Sequence, residues 1–146
     1  SAGAGGGDPQ RTYAVDRDAA IRSMEAAEEA GVPRYVMVSY LGADLDHGVP
    51  EDNGFFHYAE AKAAADAELR GSSLDWTILA PGPLTLDPGH ARVNPAAARG
   101  DGDTAPRELV AQVALAVLDD PRASRQTLVI GEGDTPIDDW LDQAAS

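Results

Sequence analysis

Tyr58 and Lys62 stand four residues apart in the run His57-Tyr58-Ala59-Glu60-Ala61-Lys62. On a helix that spacing sets both side chains on one face, within reach of a common ligand. A phenol there can give or take a proton, and a cation one turn away disfavours protonation of a group whose unperturbed pKa is about 10. Lys62 is the chain's only lysine, the other ten basic residues being arginine. Lysine offers a compact point charge with three rotatable donors, which a guanidinium does not. The same spacing also describes a surface pair on an alanine-rich helix, so spacing alone leaves both readings open.

Such a pair needs a helix, and the helix needs a sheet to stand against. Apolar residues at Ala19, Ala20, Met24, Ala27 and Ala30 predict a first helix over 15–30, with Asp16 and Asp18 at its start and Gly31 and Pro33 ending it. The short apolar run 35–38 predicts a buried strand with Ser39 at its C-terminal end. A polar loop over 42–56 leads to the Tyr58 helix, predicted over 57–70 and stopped at Gly71. A second strand, 75–80, is stopped by Pro81-Gly82-Pro83. Residues 85–103 show no sustained period and read as loop. A third helix starts near Pro106 and places Leu109, Val110, Val113, Ala114, Val117 and Leu118 on one side. A third strand over 127–130 and a last helix over 136–145, containing Trp140, complete the pattern. Helices alternating with apolar strands imply an α/β fold, a parallel sheet flanked by helices.

At 146 residues, one domain over 1–146 is expected. The net charge of -14 argues against nucleic acid or an anionic membrane surface as partner, and makes a phosphate-rich ligand hard to hold. The absence of cysteine excludes disulfides and thiolate metal sites. No apolar run is long enough to span a membrane, and 1–7 has neither the positive flank nor the apolar core of a signal peptide. A cytoplasmic protein is expected. His47, His57 and His90 show no ligand spacing, and Asp44-Leu45-Asp46-His47-Gly48 fails the calcium-loop pattern, so no metal site is expected. No Gly-x-Ser-x-Gly turn occurs, which disfavours a serine hydrolase.

Three segments carry a resemblance in order and spacing: Arg34-Tyr35-Val36-Met37-Val38-Ser39, then His57 to Lys62, then Asp75-Trp76-Thr77-Ile78-Leu79-Ala80-Pro81-Gly82-Pro83-Leu84. The chain resembles the short-chain dehydrogenase/reductase superfamily, in its atypical NAD(P)H-binding branch of NmrA-like and biliverdin-reductase-B-like proteins. The likeness extends through Arg107-Glu108-Leu109-Val110-Ala111 to Gly133-Asp134-Thr135-Pro136-Ile137. It implies a Rossmann-like fold, NADP or NAD as cofactor, and hydride transfer to a small carbonyl or quinone-like molecule. Tyr58 would be the proton donor or acceptor, Lys62 would bond the nicotinamide ribose, and Ser39 would orient the substrate. Pro81, Gly82 and Leu84 would contact the nicotinamide end through the backbone, as expected outside the carboxyl ends of parallel strands. The chain departs from the pattern at Ala80, where the family often has arginine, and at Tyr40, where many relatives carry a second serine. Some members of the branch bind the dinucleotide without known chemistry, so a non-catalytic NAD(P)-sensing or partner-binding protein is the alternative.

A dinucleotide site of this fold needs a first strand, a glycine-rich turn and a helix N-terminus for the pyrophosphate. Gly3-Ala4-Gly5-Gly6-Gly7 is a poor match, because Asp8 falls where the third glycine belongs and Asp8-Pro9 is expected to spoil a helix start. The resemblance instead sets 1–7 after the family's fourth strand, with Ala2 and Gly3 lining the cofactor cleft. The expectation is therefore an incomplete Rossmann-like unit, the C-terminal part of a longer reductase, with a possible partner chain completing the sheet. This polypeptide alone is expected to bind NADPH weakly or not at all.

Overall fold

The computed structural model describes residues 8–40, 48–99 and 104–144. They fall into two compact units, one drawn from 1–35 and 42–74, the other from 36–41 and 75–146. The candidate cofactor residues Ala2 and Gly3, the Gly3 to Gly7 run and His47 lie outside the described residues.

The first unit is helical. Helix α1 (Pro9–Thr12) continues into a π-helical segment (Tyr13–Ala19) and then α2 (Ala20–Glu29). The helix thus starts six residues before the predicted residue 15, and Asp8-Pro9 does not spoil its start. Instead Asp8 caps α1, its carboxylate accepting the Gln10 N–H at 3.1 Å, and Pro9 takes the first helical position. The missing proline N–H costs nothing there. Asp16 consequently lies inside the helical run and is buried, while of the predicted apolar face only Met24 is fully buried. Gly31, at φ +71°, closes α2: its N–H reaches the Glu28 carbonyl at 3.2 Å and the Val32 N–H the Ala27 carbonyl at 2.9 Å. This paired closure wants a left-handed residue, hence glycine. Helix α3 (Phe56–Arg70) starts where the Asn53 side chain accepts the Phe55 N–H at 2.9 Å. It packs against the π-helical segment and α2, and buries Ala59, Ala61, Ala63, Ala65 and Leu69. Small residues let backbones approach closely, so this packing rests on proximity rather than on large apolar side chains.

The second unit holds the sheet, in the order β1 (Arg34–Val38), β2 (Asp75–Pro81), β6 (Gln126–Ile130). The central strand β2 is buried along all but its first residue and runs parallel to β6, from Thr77 opposite Gln126 to Pro81 opposite Ile130. A strand covered on both faces has to read as a continuous apolar run, as 76–81 does. Helix α4 (Arg107–Val117) packs Leu109, Val110, Val113 and Val117 into the core with Leu79, Leu128 and Ile130. Each such side chain contributes about 1.5–3 kcal/mol when fully buried. Residues 85–103, read as loop, contain short pairings: β3 (Leu84–Thr85) runs parallel to β5 (Ala105–Pro106), and β4 (Arg92–Val93) antiparallel to β7 (Thr135–Pro136). Two-residue strands have no period to detect. Helix α5 (Ile137–Ala144) buries Ile137, Trp140 and Leu141.

Candidate functional site

The first unit carries Tyr58 and Lys62 on α3. Tyr58 is half-buried, its ring 5.1 Å from that of Phe55. Lys62 is only 7% exposed, which removes the surface-pair reading. A buried ammonium is costly unless anions accompany it. Burial pushes the Lys62 pKa down, while the nearby carboxylates of Asp66 and Asp16 pull the other way. Asp66 is fully buried one turn further along α3, and Asp16 is buried in the π-helical segment. Isolated π turns inside helices occur frequently at functional sites. The same segment meets the start of α3 again where the Tyr13 hydroxyl and His57 Nδ1 lie 3.1 Å apart, the rings edge to face.

Asp16 and Asp66 were not singled out by sequence reasoning. Asp66 was legible, since it stands four residues after Lys62 just as Lys62 stands four after Tyr58. Asp16 was not, because its burial follows only once the helix is known to start at Pro9.

The second unit carries Ser39 directly after β1, Pro81 and Gly82 at the C-terminal end of β2, and Leu84 at the start of β3. Ser39 follows β1 directly, is 4% exposed, and donates its N–H to the Leu79 carbonyl at 2.7 Å. Pro81 and Gly82 are buried, the Gly82 N–H bonding the Ile130 carbonyl at 3.1 Å, whereas Leu84 is 43% exposed. The structure thus joins Ser39 and the Pro81-Gly82 turn through adjacent strands of one sheet. A cavity of about 170 Å³ in this unit is lined by His90, Arg92, Leu109 and Glu132 among others. Asp138, Asp139 and Asp142 on α5 lie near one another, but Arg122 bonds Asp138 at 2.7 Å and Asp142 at 2.6 Å.

In the first unit, an ammonium and a phenol one turn apart are groups chemically suited to hydroxyl and carbonyl oxygens of a ligand. A pyrophosphate is less well served by the starts of α1, α3 and α5 than by that of α4, which opens on Arg107 with no side-chain cap. Asp8 closes α1, Asn53 bonds the turn ahead of α3, and Asp138 and Asp139 occupy the first turn of α5.

A family model described as NAD(P)H-binding matches residues 1–121. The uncharacterized sugar epimerase YhfK of Bacillus subtilis is 37% identical over 142 residues, which are 97% of this chain and 65% of that protein. A solved structure from Bacillus halodurans, provisionally assigned as an NAD-dependent epimerase/dehydratase, superposes with a TM-score of 0.86 at 33% identity, covering 98% of this chain and 67% of that one. ChuY, an anaerobillin reductase from Escherichia coli O157:H7, gives a TM-score of 0.62 at 25% identity over 82% of this chain and 59% of its own. The chain spans from 42% to 65% of the length of the curated relatives it matches. The fold is Rossmann-like, a parallel sheet flanked by helices, as the sequence pattern implied. No described helix is long and apolar enough to cross a membrane.

Proposed function

This chain belongs to the NAD(P)H-binding family, and on that premise we propose that it is part of an NAD(P)H-dependent oxidoreductase of the atypical short-chain dehydrogenase/reductase type, with Tyr58 as the acid. One observation carries the reading. The only lysine in the chain is buried within electrostatic reach of two buried carboxylates, one turn from a half-buried tyrosine. A structural helix gains nothing from such a lysine, because burying an ion pair contributes little net stability. A binding role accounts for the cost.

A bound nicotinamide dinucleotide would be the source of the hydride that reduces a carbonyl carbon. Tyr58 gives its proton to the carbonyl oxygen as the C–O bond becomes single, and its phenolate is reprotonated from solvent. Lys62 holds the ribose hydroxyls, with Asp66 and Asp16 holding the ammonium charged. The Ser39 hydroxyl orients the substrate oxygen. Backbone groups of Pro81, Gly82 and Leu84 would line the nicotinamide side. The substrate class is a small carbonyl or quinone-like molecule.

The likeness to YhfK favours a second reading, an epimerase that borrows a hydride and returns it. Both readings are tested by incubating the protein encoded by the whole gene with NADPH or NADH and a panel of carbonyl compounds and sugars. Net cofactor oxidation that tracks product alcohol supports the reductase. Stereochemical inversion without net oxidation supports the epimerase. Tight cofactor binding with neither outcome supports a non-catalytic sensor and contradicts both.

A further inference from the structure

Helix α4 has two apolar faces, and the core accounts for one. Leu109, Val110, Val113 and Val117 are buried, but Ala111, Leu115 and Leu118 follow one another at helical spacing on the opposite side. Leu115 is 77% exposed and Leu118 46%. A stripe of this kind on an amphipathic helix should be polar if it faced only water. Each end carries one misplaced charge, although Glu108 in the first turn has the favourable sign. Arg107 is the first residue of α4 and Asp119 follows its last turn, both exposed and neither in an ion pair among the described residues. A cation at the positive end of a helix dipole and an anion at the negative end are each disfavoured by their own helix.

We propose that this face of α4 docks a second copy of this chain, antiparallel, about a two-fold axis at the level of Val113. Counting outward from that axis, Arg107 of one copy falls opposite Asp119 of the other, and Leu115 opposite Ala111. Leu118 falls opposite Glu108, whose methylene stem can cover it. The pairing is self-complementary, as a two-fold interface requires. It sets a large side chain against a small one twice, forms the Arg107 to Asp119 ion pair twice, and places each misplaced charge at the favourable end of its partner's dipole. Two chains of net charge -14 repel in general, so association depends on this local match. One short helix pair buries less than the roughly 1,200 Å² of a standard interface. The dimer is therefore weak and concentration-dependent.

Sedimentation equilibrium of the 146-residue chain tests this over about 5 to 500 μM at physiological salt. The expected mass rises with concentration from 15.2 kDa toward twice that value. Leu115→Asp should hold the chain at the monomer mass. Arg107→Asp and Asp119→Arg should each weaken association about tenfold, and the double charge swap should bring it back to within about threefold of the unaltered chain. Circular dichroism confirms that each variant keeps its helix content. A monomer at every concentration, a dimer indifferent to Leu115→Asp, or a double swap no better than its parents would overturn the proposal. The first outcome would leave the stripe to another segment or partner.

Discussion

Lys62 is the residue on which most depends, and its setting has a thermodynamic signature. Its pKa in the folded chain lies below the ordinary 10.5, because burial outweighs the pull of Asp66 and Asp16. Between those two values the unfolded chain still holds a proton that the folded chain has released. Stability therefore rises with pH across the window ending at 10.5. Urea unfolding at a series of alkaline pH values should show this rise in the unaltered chain and a flatter profile in Lys62→Met. Equal slopes would mean that the ammonium is not buried as described. The tyrosine-lysine pair was legible in the sequence because a fixed spacing on a helix is enough to define it. Asp66 was legible by the same spacing, but Asp16 was not, since it comes from a different helical segment and only the folded chain buries it near Lys62.

At the scale of elements, close approaches of backbone to backbone govern the small strands that sequence patterning missed. A Cβ added at Gly89 would sit 2.6 Å from the Leu109 nitrogen and 2.8 Å from Gln112 Oε1, whereas one at Gly54 would meet nothing. Gln112 also accepts the Ala91 N–H at 2.8 Å, tying the segment ahead of β4 to α4. Gly89→Ala should cost about 1–3 kcal/mol, since backbone cannot yield as a flexible side chain can. Gly54→Ala should stay within about 0.5 kcal/mol. Denaturant titration separates the two, and equal stabilities would contradict the close approach. Besides the burial of Ile137, Trp140 and Leu141, α5 is tied down by Arg122, which bonds Asp120, Asp138 and Asp142 and the Asp138 carbonyl. The three carboxylates hold its guanidinium charged well above the ordinary range. Arg122→Met should lower the melting temperature, while Arg11→Met, at an exposed position without such partners, should leave it unchanged. The long apolar strands and α4 were readable from period and run length. Residues 85–103 were not, because pairings two residues long are fixed by tertiary contacts alone.

At the scale of the whole molecule, the chain belongs to a family that binds NAD(P)H; the alternation of helix and strand was sufficient to anticipate a parallel sheet flanked by helices, and the family resemblance its Rossmann-like character. The described helix starts of α1 and α5 carry carboxylates where a phosphate would approach, and the net charge is -14. Calorimetry with NADPH on the 146-residue chain should accordingly detect weak binding or none, and a submicromolar Kd would contradict that expectation. The central claim concerns Tyr58, and the most direct measurement is single-turnover carbonyl reduction by the protein encoded by the whole gene, comparing the unaltered protein with its Tyr58→Phe variant. A carbonyl is preferred to a quinone, which accepts hydride with little help from an acid. The Tyr58→Phe rate should fall by about 10²- to 10⁴-fold with cofactor affinity nearly unchanged. An unchanged rate would show that the proton comes from elsewhere and that Tyr58 is not the acid.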